Sequence, residues 1–415
     1  MVSKLLLKNG CYFLFKKLFT NRLFCSKSCL LWIWLNPWYV LFSLGFALIV
    51  FNEWIAYAFL PLRWPTLKCG HTHPCLKVLF VADPQILGEI DETAFARWDC
   101  DRYLHRTFMV AKSYAEPDII VFLGDLMDEG SRATAAEYER YLARFKKIFS
   151  LSSFQPNQTI FLPGDNDIGG EDEPITKIKV ERYKKHFGSI TDFSYSHLEF
   201  IKVNKMLRTY PDVPQEKKEN WLRFVLSHIP LLGIPGTFSY EALNELKPDF
   251  IFSAHDHKSV HLVGNTKTGE RSFIQPLVSN RFAGHHPSWI FFPPSRDTVN
   301  EIIIPTCSYR MGSNFMAYAT AYIDTQRNVI HYSLLTLPSR LLHLFSYLFF
   351  FTICFLVSII QYLSHLCRQP QIKYVQIRSD YIFETLLLNT LMNFEQILFI
   401  FYSYFLVIVI FCCYI

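Results

Sequence analysis

Residues 119–123, Ile-Ile-Val-Phe-Leu, form an apolar run that stops at Gly124 and is followed by carboxylates at Asp125 and Asp128. A run of this length without alternation reads as a strand buried on both faces. The end of such a strand is where α/β proteins hold ligands. An Asp placed there needs a partner, and a hard cation is the usual one. The pattern recurs along the chain. Residues 78–82 lead to Asp83, with Gln85 two positions on, and residues 159–163 lead to Gly164, Asp165, Asn166 and Asp167. Residues 224–227 lead to His228, and residues 250–254 lead to His255 and His257. Oxygen and imidazole donors gathered from five strand tips suit two divalent cations that share a bridging carboxylate.

The elements that would position these tips alternate. Helical periodicity runs over 97–116, ending before Pro117, and over 133–149, with shorter candidates at 180–187 and 240–246. Strands and helices in turn give βαβαβ followed by further strands, a mixed α/β domain. Residues 259–304 are rich in Pro, Gly, His and aromatic residues and read as a long loop or rim.

The two ends are different in character. Residues 1–27 carry Lys4, Lys8, Lys16, Lys17, Arg22 and Lys27 and no acid, and 28–52 then run without a charge. That reads as a basic cytosolic N-terminus (1–27) and a membrane anchor (28–60), uncleaved because no small-residue cleavage site follows. The expected soluble domain, 76–338, then lies on the luminal side, where the sequon at Asn157 would receive glycan. A second span is expected at 341–363, a basic cytosolic segment at 364–395, and a possible third span at 396–415. Between anchor and domain, Cys69 and Cys75 flank His71 and His73; in an oxidising compartment a disulfide or free thiols are expected before a zinc site. The net charge of +5 is modest and gives no footprint for nucleic acid.

The order Asp-x-Gln, Gly-Asp-x-x-Asp, Gly-Asp-Asn-Asp, His, His-x-His resembles the calcineurin-like metallophosphoesterase family over about 78–310. The resemblance implies an αββα sandwich and a two-metal phosphoester hydrolase, with Mn2+ as the implied ion. Carried over by position, Asp83, Gln85, Asp125 and His257 would hold one metal, and Asp125, Asp165, His228 and His255 the other. Asn166 and Asp167 fall at the catalytic positions. A narrower resemblance, carried by Val81-Ala82-Asp83, residues 124–130 and residues 163–169 between two anchors, is to a membrane-anchored branch of the family. It implies removal of an ethanolamine-phosphate side branch from GPI anchors, with GPI-anchored proteins or the GPI glycolipid as substrate and membrane lipid as surroundings. The implied site of action is the early secretory pathway (endoplasmic reticulum, its exit sites and Golgi), in support of transport between them. The residues also leave open a different phosphoester, or a catalytically weak metal-binding membrane protein.

Three departures from the family pattern bear on chemistry. Gln85 replaces a His and favours Mn2+ or Mg2+ over Zn2+. Asp165 replaces an Asn and adds a carboxylate. Asn166 replaces the His that assists the leaving oxygen, and an amide donates a hydrogen bond but no proton. Asp128 and Glu129 read as cap or supporting residues, Tyr309 and Arg310 as either phosphate contacts or surface residues, His285 and His286 as solvated rim histidines, and His105 and His197 as packing or surface residues.

Overall fold

The computed structural model describes residues 37–67, 75–154, 158–188, 192–195, 197–214, 217–218, 221–277, 288–295 and 297–368. The basic N-terminus, Cys69, His71, His73, Asn157, His285, His286 and residues 369–415, with the expected third span, lie outside them. The chain divides into two compact units, 1–350 and 351–415; within the second, the described residues continue a single helix.

In chain order the first part comprises helix α1 (Pro37–Val50), strand β1 (Cys75–Val81), α2 (Ala94–Ala115), β2 (Ile119–Phe122), α3 (Ala135–Ile148), β3 (Thr159–Phe161), α4 (Asp165–Ile168) and α5 (Lys177–Phe187). Next come β4 (Asp192–Tyr195), β5 (Leu198–Val203), β6 (Leu222–Ser227), α6 (Thr237–Leu246) and β7 (Phe250–Ser253). Last are β8 (Val260–Asn265), β9 (Arg271–Pro276), β10 (Ser288–Phe291), β11 (Thr298–Ile303), β12 (Ala317–Asp324), β13 (Val329–Thr336) and α7 (Arg340–Arg368).

The helix boundaries follow local chemistry. Thr93 caps α2 by accepting from the Ala96 amide, and α2 ends where Glu116 turns left-handed just before Pro117. Thr134 and Glu137 form a capping box at the start of α3. These helices are the crossovers that let β1, β2 and β3 run parallel.

Two mixed sheets result. One has the order β10-β13-β12-β1-β2-β3 and the other β4-β5-β6-β7-β11-β8-β9. Alternation along β1 sends Leu76, Val78 and Phe80 to the core between the sheets and Leu79 and Val81 to the core beneath α2 and α3. The inter-sheet core is closed from the other side by Phe200, Phe224 and Phe252, and α6 covers the outer face of the second sheet through Phe238, Leu243 and Leu246. The layers are therefore helix, sheet, sheet, helix.

Residues 259–304 are not the loop that their composition suggests. They hold β8, β9, β10 and β11, and β11 sits between β7 and β8 with Ile302 opposite both Phe252 and His261. Partners distant in sequence make these strands, and the Pro and Gly residues mark only the turns between them.

Beside the domain, α1 continues through a π turn (Phe51–Ile55) and Ala56–Ala58. Pro37–Ala58 and Arg340–Gln361 are, among the described residues, the two helices long and apolar enough to cross a bilayer. Where they leave the domain, Glu53 pairs with Arg102 and with Arg340 (2.9 Å), and the Arg340 guanidinium holds Asp99 (3.0 Å). Tyr347 donates to Glu53 (2.8 Å), and Asn52 donates to Ser346 (2.8 Å).

Candidate metal centre

The tips of β1, β2, β3, β6 and β7 converge, and two glycines set how closely. Gly124 has φ +99°, and a Cβ there would lie 2.5 Å from His228 Nδ1. A Cβ on Gly164 would lie 2.0 Å from Asp125 Oδ1. Only glycine allows both approaches.

The strands' last residues carry the strain of this convergence. Asp83, Gln85, Asp125, His255 and His257 all have positive φ, between 38° and 67°. A left-handed backbone at a residue other than glycine costs on the order of 1 kcal/mol or more and persists where surrounding structure demands it. Five of the seven expected ligands adopt it.

Two sets of donors come within reach of common points: Asp165 with His228 and His255, and Asp83 with Asp125 and His228. His228 Nε2 lies 3.0 Å from Asp165 Oδ1 and 3.5 Å from Asp125 Oδ1, and His255 Nδ1 lies 3.2 Å from Asp165 Oδ1. The other His228 nitrogen, Nδ1, lies 2.8 Å from the Leu123 carbonyl, a contact that fixes the ring and turns Nε2 toward the acids. Gln85 and Asn166 each donate a side-chain amide to Asp125 Oδ2, at 2.8 and 3.0 Å. For Gln85 to ligate, its amide oxygen must take the place of that nitrogen. His257 belongs to neither set of converging donors.

Electrostatics identify what the cluster lacks. Burial alone would lower His228, but the carboxylates of Asp125, Asp165 and Asp83 push it up to about 10. Burial, reinforced by Asp125, pushes Asp83 up to about 8, and its Oδ2 is buried without a hydrogen-bond partner. Burial also opposes ionisation of Asp165, yet hydrogen bonds from His228 and His255 hold its carboxyl well below the usual range. His257 is pushed down to about 4 by burial and by the neighbouring imidazoles, so at neutral pH it is in the uncharged form that ligates metal. The charge pattern and the orphaned oxygen fit divalent cations.

Asp167 lies beneath the tips. Its carboxylate accepts from the amides of Gly164 (2.9 Å), Leu126 (3.1 Å) and Met127 (3.1 Å), tying the β2 tip to the β3 tip. Composition gave no sign of Glu301, which the sequence left inside an expected loop. It is fully buried and accepts from Leu231, Leu232 and Gly233 amides (2.8, 2.7 and 2.9 Å) and from Ser253 Oγ (3.0 Å). One carboxylate thereby clamps the loop after His228 to the strand that precedes His255. Glu129 similarly holds the Ile90 and Asp91 amides (3.0 and 2.8 Å) and the Tyr141 hydroxyl (3.0 Å). Tyr309 is buried and donates to Asp99 (2.9 Å), and Arg310 pairs with Glu92. His105 contacts the Ile148 carbonyl at 2.7 Å, and the His197 ring lies edge-on to Trp221.

Residues 76–259 match the family described as calcineurin-like phosphoesterase. The chain is a member of that metallophosphoesterase family. Among curated proteins it is similar to the Metallophosphoesterase 1 homolog of Caenorhabditis elegans, at 30% identity over 295 residues covering 60% of this chain and 79% of the relative. It is also similar to Metallophosphoesterase 1 of Pongo abelii, at 31% identity over 40% of this chain and 43% of the relative, and of Danio rerio, at 31% over 39% and 42%. The matches to the vertebrate relatives thus span less than half of their length.

Proposed function

We propose that the chain is a membrane-anchored, two-cation phosphodiesterase that removes an ethanolamine-phosphate branch from GPI anchors in the early secretory pathway. The observation that carries the catalytic part is the convergence of Asp83, Asp125, Asp165, His228 and His255, with an unpartnered buried carboxylate oxygen, on strained strand ends. In this reading Asp83, Gln85, Asp125 and His257 hold one ion, and Asp125, Asp165, His228 and His255 the other. When bound, such ions polarise a phosphoryl group and lower the pKa of a water into nucleophilic range. Mn2+ suits the oxygen-rich donor set.

The protein's own residues fix the geometry. Leu123 O sets the His228 ring, Asp167 locks the two acidic tips to each other, and Asn166 donates its amide and backbone N–H to Asp125. Asn166 has no proton to give, so departure of the leaving oxygen relies on the cations or on another group.

The substrate is supported by the motif resemblance, and the anchors by the two apolar helices. We assign 28–60 and 341–363 as spans around a luminal domain at 76–338. The deciding measurement is a profile of the side branches on GPI anchors in cells lacking the protein. Retained ethanolamine phosphate is expected, and an unchanged profile rejects the substrate. Purified protein should hydrolyse bis(p-nitrophenyl) phosphate with Mn2+ and lose that activity to EDTA; persistence after chelation rejects the centre. Glycan on Asn157 and a protease-accessible N-terminus on intact microsomes are expected from the topology, which a protected N-terminus with a cytosolic domain would overturn.

A further inference from the structure

Segment 53–65 runs alongside α2 in the same direction. Glu53 pairs with Arg102 and Arg106, the Tyr57 ring lies 6.4 Å from Tyr103, and the Trp64 ring lies 5.2 Å from Tyr114, which also donates to the Pro65 carbonyl. Going back from Glu53 into the apolar helix therefore leads toward the N-terminal end of α2. The second apolar helix agrees, because Arg340 at its start holds Asp99.

At that end of α2 stands an aromatic surface that the core does not use. Phe95 is 60% exposed, Ile90 is 47% exposed, and Trp98 is half-buried. The Phe95 and Trp98 rings are 5.7 Å apart, and the Arg102 guanidinium lies 4.9 Å from the Trp98 ring. On the apolar helix itself Phe51 and Ile55 are also exposed. Exposed rings continuous with a span, with an arginine alongside, are the chemistry of the bilayer's headgroup boundary.

The same surface is joined to the metal centre by one short loop. A loop runs from Gln85 to the Thr93 cap, held by Glu129 and by the Arg310–Glu92 pair. Thr306, four residues before Arg310, donates to the Asp83 carbonyl (2.9 Å).

We propose that Ile90, Phe95 and Trp98 form a lip that rests in the headgroup region of the leaflet where the two apolar helices emerge. This lip brings the mouth of the metal centre down to the bilayer surface. It rests on reading those helices as membrane spans. The occupant is lipid: the surface is continuous with the spans and lies at the level where both enter the domain.

The test places p-benzoylphenylalanine, one site at a time, at Phe95, at Phe46 in the apolar helix and at Ile178 on α5, in the full chain in phosphatidylcholine nanodiscs. Irradiation and mass spectrometry then count lipid and protein adducts. Lipid adducts at Phe95 approaching those at Phe46, and at least about tenfold above Ile178, are expected. Adducts at Phe46 with none at Phe95 overturn the lip and leave the spans standing. Absence of lipid adducts at Phe46 overturns the span reading, and the lip with it. Protein adducts at Phe95 in place of lipid overturn the lip in favour of a protein partner or a second copy.

Discussion

At the junction with the apolar helices, Glu53 and Asp99 meet Arg102, Arg106 and Arg340. At the strand tips, Asp83, Asp125 and Asp165 meet His228 and His255, and among the described residues no Lys or Arg forms an ion pair with them. Both groups are buried, so both must cancel charge. The first does so from its own side chains and is finished when the chain folds. The second sets three carboxylates against two imidazoles and groups Asp and His donors of the kind that hold a metal ion. A buried acidic cluster is thus informative through what surrounds it: arginines point to architecture, and imidazoles without an arginine or lysine point to a ligand.

Four substitutions break or sharpen this contrast. Asp125→Asn removes the carboxylate common to both expected ions. Hydrolysis of bis(p-nitrophenyl) phosphate at saturating Mn2+ should fall by more than about 10²-fold, beyond the effect of supporting residues, with metal content by mass spectrometry falling alongside. Full activity with two ions bound would show that Asp125 is not the bridge.

Arg340→Met acts on the other cluster. It leaves Glu53 and Asp99 short of a partner and should destabilise the fold by about 3–5 kcal/mol, read by thermal unfolding in detergent. Metal content per folded molecule should not change; a parallel loss of metal would mean the two clusters are one system.

Glu301→Gln tests the clamp on the two histidine loops. The amide oxygen keeps one acceptor, but the other position becomes a donor facing backbone amides. Mn2+ affinity should weaken by about 10–100-fold with a smaller change in melting temperature. A change in melting temperature alone would make Glu301 a core residue only.

The smallest effect is expected from Asn166→His. Asp167 is buried and its carboxylate is already engaged by three backbone amides, which leaves it little freedom to orient a new imidazole. Any gain on a phosphodiester with a poor leaving group should therefore stay below the roughly 10²-fold floor of positioned acid catalysis. A larger gain, absent from a substrate with a good leaving group, would show that proton donation limits the natural enzyme.

The tips were legible in the sequence because each repeats one signature, an apolar run closed by a donor residue, and the helices were legible from their period and from the stop at Pro117. Missing were β8, β9, β10 and β11 and, with them, Glu301. Their pairing is set by strands elsewhere in the chain, and an isolated Glu among Ile residues carries no mark of the three amides waiting for it. Likewise Asp99 and Arg340 look ordinary apart; they meet across 241 residues of chain.

The sheet order also has a consequence for biogenesis. β1 carries Asp83 and Gln85 at its end, yet its second neighbour is β12, with Phe80 opposite Ala319, 239 residues later (319 − 80). At ribosomal speeds that interval lasts on the order of 10–50 s. Every expected donor, through His257, has been synthesised well before β12, so the nascent chain already carries all of them, at strand tips of both sheets, while one edge of β1 is still open. Late closure slows folding and leaves an unpaired strand exposed. Until β12 arrives, β1 therefore keeps one open edge, of the kind that pairs with other chains.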